Sequence, residues 1–345
     1  MKILFFNLNG RGGMLHYASQ FANTMAKKHT VYVVLPTYSD HTMYSDDLWL
    51  LRPKAPKGII GAIFHTFNIS QHLALRKAIK KYNPDVVHIL DNHPWYLYYG
   101  RKYKDKLFVT QHDPVLHEGD KKGLMRWLTN KVNVKLRKWA KKVFVHGHAV
   151  KESITDIPQD KIEVIKHGDY SFFTKYTKQT DMPSGDVLFF GRLLPYKGWE
   201  DLFEATRDLE QYKFTFAGEG KVDRARSNVT FINRYITNEE TADLFRKHKI
   251  VVLPYKDATQ SGVIPIAYAF NKPVIVTDVG SLSEYVQELM TGLIIPPNSS
   301  VYLKKAIMTI FELDIYQMGD SCLQYMKENL SWDKITDKVI EAYNG

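Results

Sequence analysis

Short apolar runs alternate with stretches of helical periodicity along most of this chain. In the first half, Lys2–Phe6, Thr30–Leu35, Val86–Ile89, Leu107–Thr110, Lys142–Val145 and Ile162–Ile165 read as strands. Helices are predicted at Met14–Lys28, Ser70–Tyr82, Gly123–Ala140 and His148–Thr155. The polar stretch Ser171–Gly185, which contains Pro183, reads as a linker. The alternation then restarts, with strands expected at Val187–Phe190, Lys213–Ala217, Val229–Ile232, Ile250–Leu253, Pro273–Thr277 and Leu293–Ile295. The matching helices are Glu200–Asp208, Asn238–Lys247, Ser261–Phe270 and Leu282–Glu288, and helical patterns resume from Tyr302. Short apolar strands separated by helices imply parallel, doubly wound sheets. The expected architecture is therefore α/β, with two Rossmann-like domains facing a central cleft. The first covers residues 1–170, the linker 171–185, the second 186–325, and a closing helical segment 326–345. Ligands of such sheets bind at the carboxyl ends of the strands, so the cleft is the expected site.

A length of 345 residues suits two domains, and 44% hydrophobic with 24% charged residues describes an ordinary folded protein. A lone cysteine, Cys322, excludes an intrachain disulfide. The apolar core of MKILFFNLNG is too short for a signal peptide, and no window has the apolar length of a membrane span. Gly58–Ile69 is apolar but short and broken by His65. The net charge of +10 favours anionic partners. Nine basic residues fall between Lys121 and Lys142, an interval without Asp or Glu. Leu124, Leu128, Val132, Leu136, Trp139 and Val143 recur there at helical spacing, and Trp127 adds an indole. Such a helix fits an anionic membrane surface. The same stripe equally fits a core-facing helix with a solvated basic back.

Candidate chemistry concentrates in three turns. In DVLFFGRLLPYKGWED (Asp186–Asp201), a strand ends in Gly191-Arg192, and Lys197-Gly198 follow before a helix. Two cations at a strand's carboxyl end suit a diphosphate; alone, the segment reads better as a solvated surface turn. Gly10-Arg11-Gly12-Gly13 joins the first strand to the first helix, where Gly12 and Gly13 let backbone approach an anion. It is neither a GxGxxG fingerprint nor a P-loop. Between Lys256 and Val286, Thr259, Gln260, Ser261, Gly262 and Val263 form a polar helix mouth, a further anion site or simple capping chemistry. His112 follows Leu107–Thr110 and should face the cleft; a structural histidine is the plain reading. Glu219 lies in an Ala-Gly-Glu-Gly turn. No Asp-x-Asp occurs, and His146 and His148, two apart, suit a structural role better than metal binding. No metal site is expected.

These segments, in order, resemble glycosyltransferase family 4, whose members are retaining GT-B enzymes. The resemblance rests on FFGRLLPYKG (Phe189–Gly198), FAGEG (Phe216–Gly220), FINRY (Phe231–Tyr235), VLPY (Val252–Tyr255), Ser261–Val286 and TGLIIPP (Thr291–Pro297). In the first half, Gly12–His29 and TQHDP (Thr110–Pro114) match as well, and Ser331–Tyr343 is similar to the family's last helix, which crosses back onto the first domain. The resemblance implies a hexosyl transfer from a nucleotide diphosphate sugar, the co-substrate, with no separate cofactor. It implies that Arg192, Lys197 and the Ser261–Val263 amides stabilise the leaving diphosphate, that Arg234 and Tyr235 lie near the base, that Glu219 meets the nucleotide or is equally a plain turn residue, and that His112 touches the donor sugar.

One departure stands out. The family's Glu-x7-Glu motif falls on Thr259 and Ala267, so both carboxylates are missing. Altered sugar contacts are expected, with Thr259 and Gln260 bonding donor hydroxyls and Asp257 a nearby carboxylate. Glu284 is expected to cap the helix after Gly280. The acceptor expected is a glycan or lipid-linked sugar, in cell-surface polysaccharide or glycolipid synthesis. The expected location is cytoplasmic, peripheral on the inner membrane face through residues 121–142. Three other readings stay open: a nucleic-acid-modifying glucosyltransferase, although nucleic acid is not favoured as a partner, a nucleotide-sugar epimerase, and a non-catalytic donor-binding subunit.

Overall fold

The computed structural model describes residues 1–55, 68–114, 123–176 and 184–345. The first lobe holds a seven-stranded sheet in the order β3-β2-β1-β4-β5-β6-β7. Its strands are β1 (Lys2–Phe6), β2 (Thr30–Val34), β3 (Trp49–Leu51), β4 (Val86–Ile89), β5 (Leu107–Thr110), β6 (Lys142–Val145) and β7 (Ile162–Val164). The second lobe holds six, ordered β10-β9-β8-β11-β12-β13. They are β8 (Val187–Phe190), β9 (Phe214–Ala217), β10 (Val229–Ile232), β11 (Ile250–Leu253), β12 (Val274–Thr277) and β13 (Gly292–Ile295). Every pairing between these strands is parallel. The fold is a two-lobed α/β structure, as the alternation of runs and helices predicts.

Helices α1 (Gly12–Ala26), α2 (Ile69–Tyr82), α3 (Tyr96–Lys102), α4 (Gly123–Trp139) and α5 (His148–Glu152) belong to the first lobe. The second carries α6 (Trp199–Ala205), α7 (Asn238–Lys247), α8 (Val263–Ala269), α9 (Ser300–Glu312) and α10 (Ile315–Asn329). The last helix, α11 (Trp332–Asn344), packs its Trp332, Ile335, Val339 and Tyr343 into the first lobe, among Phe21, Phe108 and Phe144.

Four local differences from the sequence pattern have physical causes. The edge strand β3 lies in the short apolar run Leu48–Leu51, which sequence reasoning passed over; no helix separates it from β2, it is only three residues long, and Trp49 is 58% exposed. The short α3 follows Pro94 and is held by its buried Tyr96 and Tyr99, not by an extended periodic stripe. Leu282–Glu288 forms one 3₁₀ turn, Ser283–Tyr285, because its side chains reach across to the other lobe. The stretch expected as a polar linker begins with a 3₁₀ helix, Ser171–Tyr176, that buries Phe172 and Phe173. Most of the apolar segment Gly58–Ile69, and Lys121 and Lys122 of the basic run, lie outside the described residues.

Candidate active site

The carboxyl ends of both sheets open onto one cleft with a cavity of about 750 Å³ between the lobes. Its second-lobe wall begins at the turn after β8. Gly191, at φ +134°, and Gly218, at φ +146°, lie against each other: a Cβ on Gly218 would sit 2.1 Å from the Gly191 carbonyl oxygen. Only glycine permits that approach. It lets the turns after β8 and β9 stack, bringing Gly191, Arg192 and Glu219 to the same wall. Arg192 donates to the Tyr196 hydroxyl at 2.9 Å. The Lys197 ammonium lies 3.7 Å from the centre of the Tyr255 ring, a cation–π contact that fixes its direction. Tyr255 in turn bonds the Ser261 hydroxyl at 3.2 Å, and Ser261 accepts the Val263 N–H at 3.3 Å.

Gln260, Ser261, Gly262 and Val263 line the cavity, and the Gln260 Oε1 is buried there without a hydrogen-bond partner. Gly262 packs beside Tyr170, whose hydroxyl reaches the Gly13 carbonyl at 3.4 Å. From the first lobe, Arg11, Gly12 and Gly13 present the amino end of α1. Cβ atoms on Gly12 or Gly13 would meet nothing within 4 Å, so both glycines face open space. Arg234 and Tyr235 line the far side. The Arg234 guanidinium is forked onto Glu240 and donates to the Tyr235 carbonyl at 3.1 Å. That ion pair holds the Glu240 carboxyl down to about 2, chiefly through the hydrogen bond from Arg234.

A second cavity of about 270 Å³ continues from the first, sharing Asn9, Met14, Asp113 and Arg192 with it. Its walls are amide-rich: Asn92, Gln111 and Asn133 join Thr110, Thr129 and Asp91. His112 lines this recess. Its Nε2 lies 3.1 Å from the Leu90 carbonyl and its Nδ1 3.1 Å from His146 Nε2. A carbonyl only accepts, so the His112 Nε2 carries the proton and its unprotonated Nδ1 faces His146. Burial pushes the His112 imidazole down to about 4, and it stands neutral. Both its ring nitrogens are engaged inside the first lobe.

Three expectations are corrected here. Thr259 is not on the wall of either cavity; it is buried and its hydroxyl donates to the Asp113 carboxylate of the other lobe. Asp257 lines neither cavity. Glu284 also does something different from the expected cap: it receives the backbone N–H groups of His148 and Ala149 at 2.8 and 2.9 Å, closing the amino end of α5 from across the cleft. Sequence reasoning overlooked Asp91. Burial raises its carboxyl to about 7, against the hydrogen bonds from the Tyr96 hydroxyl and the Asn9 N–H. The signal was available, since Asp91 follows β4 as His112 follows β5. Among the described residues no group of His, Cys, Asp and Glu could hold a metal ion.

Two nucleotide-fold lobes with a shared cleft define the GT-B class of glycosyltransferases. The Glycosyltransferase Family 4 model matches residues 11–168 and the Glycosyl transferases group 1 model matches residues 184–312. The chain belongs to this glycosyltransferase family. A glycosyltransferase of Methanocaldococcus jannaschii, itself described as uncharacterized, is 28% identical over 166 residues, 45% of this chain and 47% of that one. A GDP-mannose:glycolipid 4-beta-D-mannosyltransferase of Xanthomonas campestris is 29% identical over 126 residues, 33% of this chain and 36% of that one. The matched stretches thus span about half the length of these relatives or less. Among solved structures, HepE of Anabaena in complex with UDP-glucose superposes with a TM-score of 0.72 at 18% identity, covering 100% of this chain and 99% of that one. At that identity the likeness concerns the fold.

Proposed function

We propose that this protein transfers a hexosyl unit from a nucleotide diphosphate sugar to a hydroxyl of a glycan or lipid-linked acceptor, with retention of configuration. The observation that carries the reading is the convergence of Arg192, Lys197 and the Gly12–Gly13 backbone on one interlobe cavity of about 750 Å³. As the anomeric bond breaks, negative charge grows on the diphosphate, and fixed cations in a closed cleft stabilise it. The same cations supply this charge without a metal. Base and ribose fit towards Arg234 and Tyr235, the sugar towards Gln260 and Gly13, and the acceptor enters the smaller amide-lined recess beside His112. Amides and carboxylates are the partners hydroxyl-rich sugars require. A relative's glycolipid acceptor and another fold neighbour's UDP-glucose support this choice of substrates.

A basic face motivates the lipid-linked acceptor. Trp127 of α4 is 57% exposed, Lys131 lies 4.5 Å from its ring, and Lys135 and Lys138 continue the exposed side. Arg137 of the same run instead turns inward, pairing with Asp156 at 2.6 Å. Among the described residues no helix is long and apolar enough to cross a membrane. Peripheral attachment at an anionic bilayer, in cell-surface polysaccharide or glycolipid synthesis, suits this surface.

A second reading, transfer with inversion, is favoured by Asp91. A carboxyl raised to about 7 in the acceptor recess has the basicity to take a hydroxyl proton at neutral pH. The test is a thermal-shift screen of nucleotide sugars, then transfer with the best binder and proton NMR of the first product anomer. Retained configuration supports the first reading and inverted configuration the second. Absence of any nucleotide-sugar binding ends both.

A further inference from the structure

The lost carboxylates of the second lobe leave an electrostatic gap. A sugar that becomes cation-like at its anomeric carbon, and that must be oriented by its hydroxyls, is best held by a carboxylate. Among the described residues lining the larger cavity, the carboxylates are Asp113 and Glu219. Glu219 belongs to the turn beside Gly191 and Arg192, on the side of the cations. Asp113 is the carboxylate common to both cavities, so it stands where donor and acceptor spaces meet.

Its position is fixed from several directions. The Asp113 carbonyl accepts from Asn133 Nδ2 at 2.9 Å, the Pro114 carbonyl accepts from Arg137 at 3.3 Å, and His112 is tied to Leu90. The side chain is then met from the opposite lobe by the Thr259 hydroxyl. Thr259 is itself held, its carbonyl receiving the Ser281 N–H at 3.0 Å while Gly280 packs against it. Thr259 is the residue at which the family's first glutamate would stand.

Resting on the glycosyltransferase reading, we propose that Asp113 of the first lobe contacts the donor sugar in place of the missing glutamate, and that Thr259 positions it by donating its hydroxyl to the carboxylate across the cleft. The carboxylate has changed lobes. The cations that hold the diphosphate belong to the second lobe, while the carboxylate that reads the sugar comes from the first lobe with Asp113. Recognition of the sugar and closure of the cleft become one event, which keeps water from the anomeric carbon.

Calorimetric titration of the full chain with UDP, GDP, UDP-glucose and GDP-mannose tests this. The Asp113→Asn protein should bind the diphosphate like the wild type, within about twofold, and lose about tenfold or more in affinity for the preferred nucleotide sugar. Thr259→Val should lose part of the same increment and Thr259→Ser should restore it. Unchanged diphosphate binding doubles as proof that the variants fold. If Asp113→Asn binds the nucleotide sugar as the wild type does, or if no nucleotide sugar binds while the diphosphates do, the inference is wrong. Wild-type protein that binds neither diphosphate overturns the glycosyltransferase reading as well.

Discussion

The carboxylate of Glu284 accepts the backbone N–H of Ala149 at 2.9 Å, joining the second lobe to the first helical turn of α5. The N–H of His148 is taken by the other oxygen at 2.8 Å. Behind them, the Tyr285 hydroxyl donates to the His146 carbonyl and accepts the His167 N–H, both at 2.8 Å. Gly147 makes the approach possible, because a Cβ there would lie 2.1 Å from the Ser281 hydroxyl. Burial would raise the Glu284 carboxyl, but the Ala149 and His148 amides outweigh it and hold it below the usual range. A depressed carboxyl stabilises the folded state above its unfolded value, about 4.3, and the contribution is lost as pH falls through the folded value. Glu284→Ala should therefore cost about 1 kcal/mol in urea unfolding at pH 7, the range of a lost helix cap. The gap between variant and wild type should close in acid. A gap independent of pH would mean that the carboxylate's charge is irrelevant.

A wider pH response comes from the histidines under the cleft. His88 and His167 are pushed down to about 3 and His112 to about 4, in each case chiefly by burial, and His146 is lowered as well. A lowered imidazole means that the unfolded chain binds protons the folded one refuses. Stability is full above the unfolded value, about 6.5, and falls as pH drops below it. The melting temperature should decline steadily from pH 7 to pH 5, well before most carboxylates titrate. A flat profile over that interval would show that these rings are not buried neutral.

The alternation of runs and helices made twelve of these strands legible, because parallel strands covered by helices are mostly buried and written largely in apolar letters. Trp49–Leu51 sits in the apolar run Leu48–Leu51, but it is a short edge that follows β2 with no helix between them, so the alternation does not mark it. The cations were legible for a different reason: Arg192 and Lys197 sit one turn beyond a strand whose end is marked by glycine. Thr259 and Asp113 meet over a separation of 146 residues, and no local pattern encodes that bond. Asp257 is the compensating carboxylate the sequence suggests; only the three-dimensional path of the chain leaves it off the cavity wall and puts Asp113 on it.

The aromatic seat of Lys197 predicts how the diphosphate is bound. With its ammonium 3.7 Å from the Tyr255 ring centre, Lys197 reaches the cavity with little freedom left to lose. Lys197→Ala and Arg192→Ala should each lower turnover by roughly a hundredfold, the effect of removing one charged donor to a developing anion. Tyr255→Leu keeps the charge but frees it, and should cost less. Steady-state rates with saturating acceptor measure this ordering. Full turnover in both charge-removing variants would take the diphosphate away from this wall.

Gly198 offers a stability test with an internal control. It stands at φ +64° and a Cβ would lie 1.8 Å from the Pro254 carbonyl oxygen, so alanine meets both strain and overlap. Gly198→Ala should destabilise by about 2 kcal/mol or more. Gly13 has no positive φ and its Cβ would meet nothing, so Gly13→Ala should stay within about 0.5 kcal/mol while placing a methyl in the cavity. Urea midpoints with unchanged slopes compare the two. Equal midpoints would contradict the close packing of the turn before α6 on the segment after β11.

The last helix closes the first lobe, and the contact between Tyr343 and His88 shows how. The Tyr343 hydroxyl meets His88 Nδ1 at 2.5 Å, and His88 Nε2 passes on to Thr110 at 2.8 Å, at the end of β5. Around this polar thread, Tyr343 stands edge-on to Phe108 at 4.7 Å between ring centres, and Trp332 stands edge-on to Tyr17 at 5.2 Å. Burial of each such side chain is worth roughly 1.5–3 kcal/mol, so removing Trp332, Ile335, Val339 and Tyr343 together removes about as much as a typical domain's whole stability. Two ion pairs, Lys27–Asp333 and Lys28–Asp337, lie on the exposed rim and add little. A chain ending at Leu330 should accordingly lose amide protection throughout β1, β4, β5 and β6 while β8 to β13 stay protected. Tyr343→Phe should cost only about 1 kcal/mol, the price of one buried hydrogen bond. Hydrogen exchange read by mass spectrometry separates the lobes. Equal protection of the first sheet with and without α11 would mean that the helix merely rests on a core complete without it.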